Sequence, residues 1–273
     1  MGGAADPAPH AFEVAVASDL GTTREKNEDH CAHLLETASA GLVVIADGVS
    51  GAVGGGTASQ RAVETALGAY RELAQMRVER RVTGAVQRAN IAVYDLAMVV
   101  PELRGMATTL TAVAVDRGQL VAAHVGDCRL YLLRGGRIRQ LTKDHNVAGE
   151  RVRLGLMSEE RARLHPGRSV LTRALGRELI VVVDRIAMPL VQDDRLILCS
   201  DGLYNVLDDL DIEEIARQGS AEGACRTLVA TANARGTPDN LTVAMVHMTG
   251  ATPQRQAAGG LRARLRRLAG RGG

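Results

Sequence analysis

Four aspartates stand where an apolar run meets a turn. Asp47 follows "GLVVIA", Asp127 follows "LVAAHVG", Asp201 follows "RLILCS", and Asp239 comes just before "LTVAMVHM". Three of the four neighbour a glycine, and "NED" (27–29) adds Glu28 and Asp29 just ahead of a further apolar segment. Hard divalent cations take oxygen ligands, and gathered carboxylates repel one another unless a cation sits among them. No His or Cys cluster accompanies these acids, so the donor set points to Mg²⁺ or Mn²⁺ over Zn²⁺. Taken singly, an Asp-Gly at a strand end is a common turn. The recurrence of the pattern is what favours a metal site.

Two other stretches carry phosphate-site spacings and fail on chemistry. "GAVGGGT" (51–57) approaches G-x-x-x-x-G-K-[ST] but lacks the lysine that reaches the outer phosphates, and the chain's two lysines, Lys26 and Lys143, lie elsewhere. "CRLYLLR" (128–134) matches Cys-x5-Arg, a spacing resembling that of cysteine-dependent phosphatases. Its middle residues read as a strand, whose N–H groups a sheet would use.

The acids need elements to position them. Apolar runs and alternation predict strands over 12–19, 31–37, 41–47, 108–116, 119–127, 129–134, 181–190, 194–201 and 241–248. Helical spacing marks 57–73, 80–99, 211–218 and 221–234. "RGGR" (134–137) reads as a hairpin turn. Residues 145–178 are polar and arginine-rich, with short helical patches, and read as a surface excursion. Strands cluster and helices come in pairs, without the regular alternation of a doubly wound fold. The expected class is therefore α+β: one domain of antiparallel sheets covered by helix pairs, without internal repeats. It spans 12–250, after a lead-in at 1–11 and before a basic Gly/Ala/Arg-rich tail at 251–273 whose composition reads as disordered. Within the tail, "LRARLRRL" would put Leu261, Leu265 and Leu268 on one face if it folded.

Composition narrows the function. The 273 residues are 46% hydrophobic but hold no Trp, one Phe and four Tyr, so the core is built of aliphatic side chains. Base stacking needs aromatics, which argues against nucleic acid as a partner. Removing the tail's six arginines from the net charge of +2 leaves the remainder at −4, not the profile of a polyanion binder. Cys31, Cys128, Cys199 and Cys225 are widely spaced, as in a cytoplasmic protein with reduced thiols. No window nears the ~20 apolar residues of a membrane span, and no signal peptide is evident.

Eight segments, in order, carry a family resemblance: "SDLGTTREKNED" (18–29), "VVIADGVSG" (43–51), "GMATTL" (105–110), "VGDCRLY" (125–131), "LTKDH" (141–145), "LTRALG" (171–176), "LILCSDGLYN" (196–205) and "DNLTV" (239–243). Over about 12–248 the chain resembles the metal-dependent Ser/Thr protein phosphatases of the type 2C class, in their bacterial form. The resemblance implies a four-layer αββα sandwich with two Mn²⁺ or Mg²⁺ ions at one end, and the third ion of bacterial members. By motif position Asp47 would bridge both metals, the Gly48 carbonyl would bind one, and Asp201 and Asp239 the other. Glu28 and Asp29 would hold metal-bound waters, Asp127 with Asp201 the third ion, and Arg24 the phosphate. It further implies hydrolysis of phosphoserine and phosphothreonine by a metal-bridging hydroxide, without a phosphoenzyme. Phosphorylated proteins would be the substrates, a Ser/Thr kinase the natural counterpart, and the enzyme a monomer. Residues 146–178 match the family's flap, beside the site, where "HPGRS" (165–169) would either meet substrate or stand as a solvated loop. Val49 stands where animal members carry a histidine.

Three positions depart from the family pattern: Ser50 for a glycine, Cys128 for a serine, and Asn205 where an acid assists a metal-bound water. The alternative reading is a catalytically silent phosphatase-like binding module. Retention of Asp47, Asp201 and Asp239 argues against it. A small-molecule phosphomonoesterase is a weaker third reading.

Overall fold

The strands that carry the acids are apolar on both faces, and this dictates a layered structure. The computed structural model describes residues 11–49 and 53–250. The lead-in before residue 11, Ser50 to Ala52 and the tail with its three leucines lie outside the described residues. One antiparallel sheet has the order β1 (Glu13–Asp19), β10 (Leu241–His247), β9 (Arg195–Cys199), β6 (Arg129–Arg134), β7 (Arg137–Gln140). The other runs β2 (Asp29–Thr37), β3 (Ala40–Asp47), β4 (Leu110–Asp116), β5 (Gln119–Val125), β8 (Asp184–Pro189).

Alternation along each strand assigns its two faces to different cores. In β3, Val43 and Ile45 enter the core between the sheets, while Leu42, Val44 and Ala46 face α1 (Gly55–Glu72) and α2 (Val78–Val99). In β10, Ala244 and Val246 enter the same central core; Leu241, Val243 and Met245 face α6 (Asp209–Ala216) and α7 (Ala221–Ala234). Three aliphatic cores therefore stack between four layers, as the expected αββα sandwich requires. Helix α1 approaches its sheet through Ala58, Ala62, Ala66 and Ala69, a stripe of small residues at helical spacing.

Several boundaries differ from expectation for local reasons. Helix α1 starts at Gly55, after Gly54 in the left-handed region (φ 79°). Helix α6 starts at Asp209, because Asp208 and Asp211 form a reciprocal capping box. Strand β8 begins at Asp184 rather than residue 181, and β9 ends at Cys199, where α5 (Asp201–Tyr204) forms a single turn. Strand β7 was not expected; it is a four-residue edge whose alternating "RIRQ" exposes its arginines. The excursion at 146–178 holds α3 (Val147–Arg153), α4 (Glu159–Arg163) and a 3₁₀ turn at Pro166–Ser169. No helix among the described residues is long and apolar enough to cross a membrane.

In the antiparallel topology the start of β2, the ends of β3, β5 and β9 and the start of β10 come to one end of the sandwich. Behind that end, His124 on β5 is fully buried. Its ring bonds Thr111 Oγ1 (2.8 Å) and the Lys143 carbonyl (3.1 Å) and packs on His145, 4.7 Å between centroids. Burial, aided by His145, lowers its pKa to about 3. The folded chain then holds His124 neutral while the unfolded chain takes up a proton below its ordinary value. Stability from this group is complete above about pH 6.5 and falls as the pH drops toward 3. Comparing wild type with His124→Gln in denaturant, in chelator, should show an extra loss of about 2 kcal/mol in wild type between pH 7 and pH 5. Parallel pH profiles for the two proteins would refute this account.

Candidate active site

The acids meet because the strand register forces them to. Asp29 opens β2 directly opposite Asp47, the last residue of β3. The Asp47 carbonyl is fixed by Thr109 N–H (2.9 Å) and Thr108 Oγ1 (2.8 Å), and its N–H donates to Thr109 Oγ1 (2.8 Å). Asp29 is buried; Ser200 Oγ donates to its Oδ2 at 2.6 Å, whereas its Oδ1 has no hydrogen-bond partner. Asp201 begins α5 immediately after Ser200, and Asn205 Nδ2 donates to its Oδ2 at 3.1 Å. Asp239 accepts Arg24 Nη2 at 2.8 Å, with about a third of the arginine side chain exposed. Asp127 is buried beyond β5, with Asn146 Nδ2 3.3 Å from its Oδ2 and Tyr204 Oη donating to its carbonyl at 3.0 Å.

The electrostatics follow from that convergence. Burial first, then the charges of Asp29, Asp201, Asp127 and Asp239, pushes the Asp47 carboxyl well above its ordinary pKa. Burial and the neighbouring Asp201 do the same to Asp127. Burial, reinforced by Asp239 and Asp29, raises Asp201 to about 7. Burial raises Asp29 to about 6 against the lowering effect of Ser200. Such a group of oxygens holds its negative charge comfortably only beside a cation.

The donor chemistry fits a hard divalent ion: several carboxylates and an orphaned buried oxygen on Asp29. Among the described residues, no three His, Cys, Asp or Glu side chains already close into a cage. Arg24 takes one Asp239 oxygen, and the Glu28 carboxylate turns to the start of α1, accepting Gly56 N–H at 3.2 Å. Glu28 is thereby a helix cap as well as a member of the acidic group.

The two Asp-Gly pairs are close approaches rather than simple turns. A Cβ on Gly48 would lie 2.4 Å from the Gly55 carbonyl carbon, where α1 packs over the site. A Cβ on Gly202 would lie 2.1 Å from the Asn240 carbonyl oxygen, where α5 meets the start of β10. That contact holds Asp201 beside Asp239.

Sequence reasoning did not single out the residues that fix the acids. Asn240 accepts Glu28 N–H (2.8 Å) and donates to the carbonyls of Leu20 and Lys26 (3.0 Å each), pinning the loop that carries Arg24 and Glu28. Thr108, Thr109 and Asn240 fall inside recognised segments, but their hydrogen bonds span up to 220 positions and leave no local signal. Cys128 is buried between the sheets beside Thr109 Oγ1, and burial pushes its thiol far above the ordinary range, so it is an inert core thiol. "HPGRS" lies in the 3₁₀ segment of the excursion.

Comparison with known proteins matches the geometry. Residues 22–243 fit the family model described as Protein phosphatase 2C. This chain is a member of the protein phosphatase 2C family. It is 36% identical over 234 residues to the serine/threonine phosphatase stp of Listeria welshimeri, covering 84% of this chain and 93% of that protein. It is 32% identical over 242 residues to the protein phosphatase PhpP of Streptococcus pneumoniae, covering 87% and 98%. Among solved structures, the Mycobacterium tuberculosis serine/threonine phosphatase PstP/Ppp superposes with a TM-score of 0.78 at 33% identity, covering 87% of this chain and 99% of that one. A structure of the PstP catalytic domain in complex with two manganese ions gives 0.74 at 31% identity, covering 87% and 98%.

Gly202→Ala should lower stability by about 3 kcal/mol, because backbone rather than a flexible side chain meets the new methyl. Gly68→Ala, in the middle of α1 with open space around it, should raise stability by up to about 1 kcal/mol. Thermal unfolding of both variants tests the contrast; equal midpoints would show that α5 does not depend on the close approach.

Proposed function

We propose that this protein is a divalent-metal-dependent phosphatase of phosphoserine and phosphothreonine in proteins. The observation that carries the reading is the convergence of Asp29, Asp127, Asp201 and Asp239 on Asp47 at one end of the sandwich. Membership of the protein phosphatase 2C family agrees with it, as do the phosphatase names of its relatives.

In this reading Asp47, the Gly48 carbonyl, Asp201 and Asp239 hold two Mn²⁺ or Mg²⁺ ions, and Asp127 with Asp201 holds a third. Glu28 and Asp29 act through water. The cations, when bound, supply Lewis acidity: they offset phosphate charge and acidify water. The protein's own contribution is positional. The Thr108–Thr109 pair locks the Asp47 backbone, and Ser200 orients Asp29. Asp239 keeps Arg24 at the rim, where a planar guanidinium fork suits a phosphate dianion. Asn205 donates to Asp201, so the departure from an acid leaves a neutral group that steadies a ligand. The excursion at 146–178 is assigned as the flap that borders the substrate.

The proposal includes a monomeric cytoplasmic enzyme that opposes a Ser/Thr kinase. The four free cysteines support a reducing compartment.

Phosphate release from a phosphothreonine peptide should require Mn²⁺ and stop in chelator. Asp201→Asn should lower it on the order of a hundredfold or more, and lose the Mn²⁺-induced rise in thermal midpoint. Arg24→Ala should raise KM about tenfold. Wild-type protein that gains stability with Mn²⁺ yet releases no phosphate would overturn the enzymatic reading in favour of a binding module.

A further inference from the structure

We propose that Asn146 is a positioning residue that ties the flap to Asp127, so that order in one is felt by the other. Asn146 is buried, 2% exposed, at the point where the chain leaves the sandwich for α3. Its side chain works in two directions. Oδ1 accepts Gly149 N–H at 2.8 Å and caps α3. Nδ2 faces Asp127 Oδ2 at 3.3 Å. The amide orientation is set by its neighbours: a backbone N–H needs the oxygen, and a carboxylate needs the NH₂.

The adjoining backbone repeats the linkage. His145 N–H donates to the Gly126 carbonyl (2.8 Å), and His145 Nδ1 accepts Gly126 N–H (3.0 Å). The His145 carbonyl accepts Thr172 N–H (2.8 Å), and Val147 N–H donates to the Val170 carbonyl (3.0 Å). Residues 145–147 therefore clamp the far end of the excursion on one side and the Gly126–Asp127 corner on the other. Asn146 is the member whose side chain reaches the carboxylate itself. Losing it would release α3 and leave Asp127 short of a donor at once. Linkage then works both ways: whatever orders the flap steadies Asp127, and whatever holds Asp127 steadies the flap.

The functional weight of the tie rests on the assignment of Asp127 and the flap above, but the tie itself is tested without metal. The full chain is digested with trypsin in chelator, and cleavage at Arg151, Arg153, Arg161 and Arg163 is normalised to cleavage at Arg77, between α1 and α2. Asn146→Asp keeps shape and capping acceptor but removes the amide N–H that faces Asp127. Asn146→Ser keeps a cap with a shorter reach. Both should raise the normalised flap cleavage about fivefold to tenfold, the effect of one hydrogen bond on a local opening equilibrium. Asp127→Ala should raise it equally from the other side, Asp127→Asn, which keeps an acceptor oxygen, should cleave like wild type, and the double variant N146D/D127A should be no worse than either single one. Unchanged flap cleavage in Asp127→Ala, or additive effects in the double variant, would reduce Asn146 to a local helix cap and overturn the tie. A rise at Arg77 in step with the flap would mean general loosening and would equally overturn it.

Discussion

Everything at the working end of this molecule answers to one constraint: carboxylates have been gathered where water cannot fully solvate them. Asp47 feels the charges of four other aspartates. Folding alone would not choose such a cluster, because burial and mutual repulsion both disfavour the charged forms. The fold tolerates it by placing the cluster at strand ends, where Asp47 and Asp239 keep partial access to solvent, and by surrounding it with fixed dipoles. Thr108, Thr109, Ser200 and Asn240 each hold a backbone or carboxylate that would otherwise relax away.

The sandwich is what makes that placement affordable in stability. Two five-stranded sheets bury aliphatic side chains on both faces, and the apolar burial is spread over three cores. A rigid scaffold of that kind can carry a strained, repulsive patch at one rim. The close packing at Gly48 and Gly202 shows the same logic at short range: backbone is brought within van der Waals limits of backbone so that α1 and α5 can press on the acids.

Around this rim lie elements with fewer obligations to the core. The excursion between β7 and β8 is rich in arginine and exposes Leu154, Leu156 and Leu164, yet it is anchored to the sandwich by paired backbone bonds at both ends. A segment fastened at its base and open at its tip suits a role in meeting a partner surface. Asn205, which departs from the family pattern, remains in contact with Asp201, so the departure alters the character of the site without dismantling it.

The sequence by itself determined the class, the helix pairs, most strands and the identity of the acids. Those signals are local: apolar alternation, helical spacing, and carboxylates beside glycines at the ends of apolar runs. It did not reveal β7, whose four residues are too short and too polar to stand out, nor the start of α6, set by a capping box within one turn. Nor did it reveal why the acids stay together. Opposition of Asp29 to Asp47 is a matter of register; Ser200 meets Asp29 across 171 positions and Asn240 meets Leu20 across 220. Which glycines are structural, which hydroxyls hold a carboxylate, and that Glu28 caps α1 were decided only by tertiary structure. The reason is physical: a side chain's type is written in the chain, but its partner is chosen by packing between elements that sequence distance does not encode.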